Sequence, residues 1–314
     1  MAAGSPPAET KGTKPVSETS PEPPASGSDP PGNDPERNGA AIALRVWGAR
    51  GSLPTPGPST VRYGGNTLCV ELRCGPHLLI LDAGSGLREF GRALAASGVP
   101  ADADILLSHT HLDHICGLPF FAPMFDPKAR LRFWGGHLMP PDGIEQALSR
   151  SWRAPLMPDL DKAFRAGLRF HDFTPGDGFS LHSGLNVTTV MLNHPGKAIG
   201  YRVAWAGTSV CYITDTEQPA HGMDQGLVRF VAGTDIMIYD ASFTDEEYQA
   251  RIGWGHSTWR AAADVADAAG VGRLVLFHHD PGHDDTMMDT IAQAIEARRP
   301  GSLVAREGMR LRAG

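Results

Sequence analysis

Four side chains that can bind metal ions fall within six consecutive residues, His109-Thr110-His111-Leu112-Asp113-His114. Imidazole nitrogens and carboxylate oxygens are ligands that suit zinc and other first-row divalent ions. In extended chain, His109 and His111 point the same way and can bind one ion. Asp113 and His114 follow after a turn and can reach a second ion. The alternative is a polar surface loop without metal, but this density of ligands favours a metal centre.

The apolar run over residues 105–107 directly precedes this cluster and is typical of a short buried strand. Sites of α/β proteins commonly lie where the strands of the sheet end. Similar strand-like runs occupy residues 42–47, 68–73, 78–81, 187–192, 199–205, 210–213, 236–239 and 274–277. Helical apolar stripes alternate with them after Gly86, from Trp259 to Gly270 and from Met288 to Pro300. Strands and helices that alternate in two successive halves predict an α/β protein built as a four-layer αββα sandwich.

Residues 1–40 differ in composition from the rest of the 314-residue chain. They contain nine prolines, five serines and five glycines but almost no large aliphatic side chains. Such a segment cannot bury enough surface to offset the entropy of ordering. We therefore predict a disordered tail over residues 1–40 and one domain over residues 41–314. No secretory signal is expected in the tail, and no membrane span is expected in the chain, because neither has the apolar run that it requires.

The net charge of the chain indicates which class of molecule it binds. The chain carries 28 Lys and Arg against 35 Asp and Glu, a formal net charge of −7. Proteins that bind long nucleic acids usually present a basic surface, so a small molecule is the expected partner and a long polynucleotide is not. The four cysteines form no C-x-x-C pair, which favours reduced thiols in a cytoplasmic protein.

Five further motifs accompany the histidine cluster, one before it and four after it. They are Leu81-Asp82-Ala83-Gly84, Leu192-Asn193-His194-Pro195, Ile213-Thr214-Asp215-Thr216, Gly255-His256-Ser257-Thr258 and Leu276-Phe277-His278-His279-Asp280. In this order the motifs resemble the metallo-β-lactamase fold superfamily, and within it the phosphodiesterase-like branch of ribonuclease Z and the class II cyclic-nucleotide phosphodiesterases. The superfamily cleaves lactams, thioesters, lactones and phosphodiesters, so the resemblance is more specific for the fold than for the substrate.

The resemblance implies a centre of two divalent ions, with zinc expected and manganese or iron as alternatives. It assigns His109, His111 and His194 to the first ion, Asp113, His114 and His278 to the second, and Asp215 to the bridge between them. His278 is preferred to His279 because it aligns with the ribonuclease Z histidine. Asp82 is expected to orient the ligands by hydrogen bonds. Zinc lowers the pKa of bound water to about 7, so hydrolysis would need no Ser or Cys nucleophile.

The resemblance also implies a catalytic role for His256. In ribonuclease Z the matching histidine contacts the scissile phosphate and protonates the leaving group, and an acidic residue holds it. Asp240 matches that acid here, although the family member has Glu, and a purely structural Asp240 is the alternative. Asp113 is predicted to be catalytic as well as a ligand. Ser257 is expected to cap the helix that begins near Trp259.

The predicted function is hydrolysis of a cyclic nucleotide or another small phosphodiester. Leu112 favours this function, because the class II enzymes carry H-x-H-L-D-H where ribonuclease Z usually has Gly. A lactonase, thioesterase or β-lactamase-like hydrolase is an alternative, although true β-lactamases commonly have Cys in place of Asp215. A ribonuclease Z-like nuclease and a non-enzymatic ligand-sensing scaffold are also compatible with these motifs.

Two segments interrupt the alternation of strands and helices. The Gly- and Pro-rich loop over residues 48–65 is expected to flank the metal cleft. Residues 120–173, rich in proline and aromatic side chains, are predicted to form a lid or a homodimer contact, with part of their aromatic side chains in the core. The histidines without a motif are expected at the surface, and these are His77, His137, His171, His182, His221 and His283.

Overall fold

The computed structural model describes Met1 and residues 41–138 and 142–314. Apart from Met1, the tail predicted over residues 1–40 lies outside the described residues. No helix among the described residues is both long enough and apolar enough to span a lipid bilayer.

The first of two seven-stranded sheets contains the N-terminal strands and closes with the last strand of the chain. Across the sheet, the order is β14 (Arg310–Ala313), β1 (Ile42–Gly48), β2 (Cys69–Cys74), β3 (His77–Leu81), β4 (Asp102–Leu106), β5 (Arg130–Gly135) and β6 (Gly167–Asp172). Strands β14, β1, β2 and β3 pair antiparallel, whereas β3 to β6 pair parallel. The parallel strands β3 and β4 therefore end at the same edge.

The second sheet repeats this mixed design with the C-terminal half of the chain. Its order is β13 (Leu303–Val304), β12 (Arg273–Phe277), β11 (Ile236–Asp240), β10 (Thr208–Ile213), β9 (Ala198–Trp205), β8 (Leu185–Leu192) and β7 (Gly178–His182). Strands β10 to β13 pair parallel, and β7 to β10 pair antiparallel. Strands β10, β11 and β12 consequently also end side by side.

Helices cover the outer faces of the two sheets. They are α1 (Gly86–Ala96), α3 (Ile144–Ser151), α4 (Gln225–Val231), α6 (Trp259–Ala268) and α7 (Asp285–Arg298). The single-turn helices α2 (Leu112–Ile115) and α5 (Asp245–Tyr248) lie in connections between these elements. One apolar core lies between the sheets, with side chains such as Leu44 and Tyr201. A second packs α6 and α7 on the C-terminal sheet, and a third packs α1 and α3 on the N-terminal sheet. This arrangement of layers confirms the predicted αββα sandwich.

The prediction of a lid over residues 120–173 was wrong for much of that segment. The segment contributes β5, β6 and α3 to the N-terminal sheet and its helical layer. Phe121, Phe133 and Trp152 are almost fully buried there. The sequence pattern obscured these strands because charged residues alternate with apolar ones, as in Arg130-Leu131-Arg132-Phe133, and proline-rich turns separate them.

Candidate metal centre

The predicted site residues converge where the strands of both sheets end. Asp82 follows β3, His109 lies three residues after β4, Asp215 lies two after β10, and His278 follows β12 directly. Parallel neighbours in a sheet end at one edge, so residues far apart in the chain come together there. The sandwich then brings the edges of its two sheets together around one cleft.

The backbone is left-handed at three of these positions. The φ angles of Asp82, Asp215 and His278 are 57°, 53° and 58°. Residues other than glycine rarely adopt this conformation, which costs about 1–3 kcal/mol at each position. At all three positions the turn aims a carboxylate or imidazole from the end of a strand into the cleft, so the fold sustains this cost at the residues that build the site.

One group of ligand atoms comes from His109, His111 and His194, all of which lie within 4.8 Å of one another. The Nε2 atom of His194 is 3.3 Å from Nδ1 of His111. The ring centroids of His109 and His111 are 4.3 Å apart, and those of His109 and His194 are 4.9 Å apart. Three imidazole nitrogens at this spacing fit a single zinc-like ion.

A second group comes from Asp113, His114 and His278. The Oδ2 atom of Asp113 is 3.4 Å from Nε2 of His114 and 3.5 Å from Nε2 of His278. The backbone N–H of Ser52 donates to the same carboxylate oxygen at 2.7 Å. The Asp113 carboxylate is therefore fixed from two sides, which suits a ligand better than a mobile surface acid.

Asp215 lies between the two groups. Its Oδ2 is 3.3 Å from Nε2 of His114, and its Oδ1 is 3.2 Å from Nε2 of His278. The Oδ1 atom is also 3.9 Å from the Nε2 atoms of both His109 and His194. One carboxylate thus faces ligands of both groups, the geometry that a bridging ligand requires.

Three nitrogens that face the centre have no hydrogen-bond partner. The Nε2 atoms of His109, His114 and His278 are buried and unpaired among the described side chains. A buried polar atom without a partner costs free energy. Metal ions would satisfy all three nitrogens at once, so the residues present fit the group that the fold family implies.

Asp82 organises one side of the centre. Its Oδ2 accepts hydrogen bonds from Nδ1 of His114, the Ser108 hydroxyl and the Tyr212 hydroxyl, each at 2.8 Å. Its Oδ1 accepts the backbone N–H of Ser108 at 2.7 Å. With Nδ1–H of His114 donating to Asp82, the lone pair of Nε2 is directed toward the centre. These bonds place Asp82 where it could orient His114, and its role in ordering the ligands stays a prediction.

The electrostatics of the cleft favour the binding of cations. Burial opposes ionisation of Asp215, but His278, His114 and His109 hold the pKa of its carboxyl well below the usual range. Burial likewise opposes protonation of His278, yet Asp215 and Asp113 hold its pKa well above the usual range. Burial lowers the pKa of His109 far below its ordinary value. The buried carboxylates thus stabilise positive charge, which divalent ions would supply in place of protons.

His256 lies at the rim of this centre. Its Nδ1 is 2.8 Å from Oδ2 of Asp240, and its ring stacks on His278 at 4.5 Å between centroids. The Asp240 carboxylate is fully buried and also accepts the Ser242 hydroxyl at 2.9 Å. The side chain of His256 remains 13% exposed. The structure therefore brings together the His256–Asp240 pair, despite the shorter acid.

The structure adds positioning residues that the motifs did not identify. Nδ1 of His278 is 2.8 Å from the Ser242 hydroxyl, and a Cβ at Gly51 would lie 2.1 Å from Cε1 of His278. Gly51 and Ser52 belong to the loop that was predicted to flank the cleft. Ser242, by contrast, could have been suspected only from its place two residues after Asp240.

Glu217 is a further positioning residue that no sequence motif indicated. Its Oε2 accepts the backbone N–H groups of Gly253 and Gly255 at 3.0 and 2.8 Å, and Oε1 accepts the Tyr248 hydroxyl at 2.7 Å. Gly255 immediately precedes His256, and its carbonyl is 3.0 Å from Nδ1 of His194. This carboxylate therefore anchors the loop that carries His256.

Two smaller expectations were wrong. Thr258, not Ser257, caps helix α6, accepting the N–H of Ala261 at 3.2 Å, while Ser257 Oγ donates to the Thr216 carbonyl. His137 and His283 are buried and not at the surface. Each has a local polar partner, Thr110 Oγ1 for His137 and Glu247 for His283, which a sequence pattern does not reveal.

The remaining histidines belong to none of the groups of candidate ligands among the described residues. His279 is buried with its Nε2 at 2.8 Å from the Ala305 carbonyl, and it belongs to neither group of candidate ligands. His278, by contrast, lies in a group of candidate ligands, and the choice of His278 over His279 stays a prediction. His221 is exposed, whereas His77, His171 and His182 are half-buried.

Comparison with known proteins identifies the family. The family model described as Beta-lactamase superfamily domain matches residues 77–279, and the chain belongs to this family. It is 29% identical over 250 residues to a ribonuclease Z from Mycobacterium sp. (strain KMS), covering 72% of this chain and 81% of the relative.

Solved structures agree with this fold. The metallo-beta-lactamase fold protein YhfI from Bacillus subtilis matches with a TM-score of 0.65 at 18% identity, covering 87% of this chain and 99% of that protein. A diphosphatase from the PhnP family matches with a TM-score of 0.64 at 20% identity, covering 86% and 97%. The predicted superfamily, its phosphodiesterase-like branch and the general class of hydrolase are confirmed.

Proposed function

We propose that this hydrolase is a metal-dependent phosphodiesterase acting on a small phosphodiester, with cyclic nucleotides as the leading candidates. The observation that carries the proposal is the His256–Asp240 hydrogen bond of 2.8 Å at the rim of the ligand cluster. A thiolate that leaves a thioester needs no such acid, whereas an alkoxide that leaves phosphorus needs a proton.

We assign the seven converging side chains to two metal ions. In this assignment His109, His111 and His194 hold the first ion, Asp113, His114 and His278 hold the second, and Asp215 bridges them. The N and O donor set favours zinc, with manganese or iron as alternatives. Two bound ions would neutralise charge on the phosphoryl oxygens and acidify an attacking water.

Two residues of the chain would then supply a proton to the leaving oxygen. Asp240 accepts the Nδ1–H of His256 and leaves Nε2 as the nitrogen that can carry a proton to the leaving oxygen. Asp240 is itself fixed by the hydroxyl of Ser242 and by backbone N–H groups of Thr216 and Ser257. Such a buried, multiply bonded carboxylate fixes the orientation of the imidazole.

The size and location of the substrate are part of the proposal. The net charge of −7 supports a small substrate rather than a long polynucleotide. Four free cysteines, three of them fully buried, support a cytoplasmic location. A ribonuclease Z-like activity is the second candidate, because curated relatives carry that name.

The deciding experiment compares two leaving groups in the His256→Ala variant. With an unactivated dialkyl phosphodiester, the rate should fall by about 10²–10⁴, the usual contribution of general acid catalysis. With bis(p-nitrophenyl) phosphate the loss should be much smaller, because nitrophenolate leaves without a proton. Equal losses with both esters would remove His256 as the acid and leave it as a phosphate contact.

Metal content and a substrate panel complete the test. The His256→Ala variant should keep its metal ions, whereas their loss would make His256 a ligand and overturn the assignment. Wild-type protein should hydrolyse cyclic nucleotides in preference to a lactone or nitrocefin. Activity on the lactone with none on phosphodiesters would move the protein to the lactonase class, and cleavage of precursor tRNA would favour the nuclease.

A further inference from the structure

Two buried serines lie between buried aspartates and candidate metal ligands, one beside each sheet. Strand β3 is followed directly by Asp82, and its parallel neighbour β4 is followed by Ser108. In the second sheet Asp240 ends β11, and Ser242 lies two residues further along the chain. Both aspartates are 0% exposed, and the two serines are 0% and 2% exposed. A buried hydroxyl needs hydrogen-bond partners, so the partners of these serines are informative.

The hydroxyl of Ser108 has three polar neighbours. Its Oγ is 2.8 Å from Oδ2 of Asp82, 3.1 Å from Nδ1 of His109 and 3.2 Å from Nδ1 of His114. An ionised carboxylate can only accept hydrogen bonds, so the single hydroxyl proton is donated to Asp82. Nδ1 of His109 must then carry a hydrogen and donate it to Oγ, because lone pairs that face each other at this distance repel. His114 donates to Asp82 directly at 2.8 Å, so Asp82 holds one imidazole itself and a second through Ser108.

The hydroxyl of Ser242 repeats this arrangement beside the other sheet. Its Oγ is 2.9 Å from Oδ1 of Asp240, 2.7 Å from the carbonyl oxygen of His278 and 2.8 Å from Nδ1 of the same residue. The carboxylate and the carbonyl can only accept, so the single hydroxyl proton goes to one of them. Nδ1 of His278 is therefore the donor to Oγ and keeps its hydrogen. Asp240, which bonds directly to His256, thus also holds His278 through Ser242.

The hydrogen on Nδ1 decides which ring nitrogen can bind an ion. A neutral imidazole has one N–H, so a hydrogen on Nδ1 leaves the lone pair on Nε2. The Nε2 atoms of His109 and His278 are buried and have no hydrogen-bond partner among the described side chains, and both residues belong to groups of candidate ligands. Without the hydroxyl, a ring could carry its hydrogen on Nε2 instead, and in that form it cannot bind an ion through Nε2.

We propose that Ser108 and Ser242 are positioning residues that fix the tautomers of His109 and His278 for metal binding. Each hydroxyl accepts the Nδ1 hydrogen of its histidine and is itself fixed by a buried acceptor. The inference rests on the ligand assignment of the proposed function and extends it by two residues that act on one ion each. A serine that only supports the fold would lower stability without acting on a particular imidazole.

Competition with a chromophoric chelator measures the zinc affinity of the serine variants. Ser108→Ala and Ser242→Ala should each bind one zinc ion about 10–100-fold more weakly, the usual effect of losing an orienting partner. Ser209→Ala is the matched control, because the buried Ser209 hydroxyl also bonds to an aspartate, Asp235, at 3.2 Å. Ser209 lies at the start of β10, whereas Asp215 follows the end of that strand. The control should lower stability and leave zinc affinity unchanged.

Double-mutant cycles decide whether each serine acts through its own histidine. In a His109→Ala background, Ser108→Ala should cause no further loss of affinity for the remaining ion, whereas Ser242→Ala should keep its full effect. A His278→Ala background should give the reverse. Equal losses in every background would make the two serines general supports of the fold and would overturn the proposal.

Nitrogen-15 NMR of the histidine side chains reads the tautomer in metal-free protein. At mildly alkaline pH, His109 should carry its hydrogen on Nδ1 in the wild type. Ser108→Ala should convert a measurable fraction of this residue to the Nε2–H form, and Ser209→Ala should not. An Nε2–H form in the wild type, or an unchanged tautomer in Ser108→Ala, would contradict the role of the hydroxyl.

The outcomes separate this inference from the proposed function. Wild-type protein that binds no zinc would overturn the ligand assignment, whereas the NMR spectrum of His109 would still test the role of Ser108. Protein that binds two zinc ions with the same affinities in both serine variants as in the wild type would overturn the role of the serines and leave the metal centre in place.

Discussion

The carboxylate of Glu217 accepts the backbone N–H of Gly255 at 2.8 Å, one residue before His256. The backbone N–H of Glu217 donates to the Asn193 carbonyl at 2.9 Å, and the Asn193 amide donates to the Glu217 carbonyl at 3.0 Å. Glu217 therefore connects three loops, which carry His194, Asp215 and His256. The backbone of Glu217 bonds to the loop of His194, and its side chain bonds to the loop of His256, so this one residue links a proposed ligand to the proposed acid.

Glu217→Gln should disturb the placement of His256 while the fold is retained. The amide would turn an NH₂ group toward N–H donors, so at least one hydrogen bond to the loop is lost. We expect kcat on an unactivated phosphodiester to fall about tenfold, with a smaller loss on bis(p-nitrophenyl) phosphate. Steady-state kinetics with both esters measure this ratio, which a general loss of stability would leave unchanged.

The control for this variant is Glu145→Gln, at an exposed glutamate in the first turn of α3. It should leave both rates at the wild-type level. An equal loss on both esters in the Glu217 variant would instead indicate that Glu217 supports the fold as a whole.

Asp82→Asn should weaken metal binding. The asparagine amide cannot accept hydrogen bonds at both terminal atoms, so it cannot satisfy the Ser108, Tyr212 and His114 donors together. Loss of such an orienting partner typically costs about 10–100-fold in metal affinity. Competition with a chromophoric chelator measures the affinity. Tyr212→Phe should have a milder effect, and Asp159→Asn, at an exposed residue, should have none. Unchanged affinity in Asp82→Asn would show that His114 is oriented without it.

Purified protein should contain close to two transition-metal ions per chain, and Asp215→Ala should lose at least one. Asp215 faces both groups of ligands, because its Oδ1 is 3.9 Å from Nε2 of His109 and 3.2 Å from Nε2 of His278. Elemental analysis by mass spectrometry gives the stoichiometry. His278→Ala should lose metal, whereas its neighbour His279→Ala should keep it, because His279 bonds to the Ala305 carbonyl. Full activity of metal-free protein in chelator would refute the mechanism.

His137 should make the protein less stable as the pH falls. Burial lowers the pKa of His137 from 6.5 to about 4. Between these values the unfolded chain binds a proton that the folded chain does not, so the free energy of unfolding decreases as the pH falls from about 6.5 to about 4. This residue should contribute a loss of about 2–3 kcal/mol between pH 7.5 and 4.5.

The measurement is urea unfolding of metal-free protein at both pH values. Over this pH range, the free energy of unfolding of His137→Gln should fall by about 2–3 kcal/mol less than that of the wild type. His221→Gln, at an exposed histidine, provides the control. Parallel losses in the wild type and His137→Gln would mean that His137 is protonated in the folded state.

The local sequence determined the strands and helices that carry the candidate metal ligands. Apolar runs of strand length ended at Asp82, at the histidine cluster and at His278, and the strands of the structure end within a few residues of these positions. Alternation with helical stripes was sufficient to predict the αββα layers, because burying one face of each element leaves few arrangements. Edge strands such as β7 and β14 were not predicted, because exposed edges are short and rich in polar residues.

The tertiary structure alone decided how these elements meet. The left-handed turns at Asp215 and His278, the hydrogen bond of Ser52 to Asp113, and the burial of Glu217 all depend on residues distant in sequence. A periodic pattern reports which face of a strand or helix is buried, but not which distant polar group it meets. The types of ligand could therefore be predicted from the sequence. Their orientation arises because the two sheets pack face to face and bring the ends of their strands together.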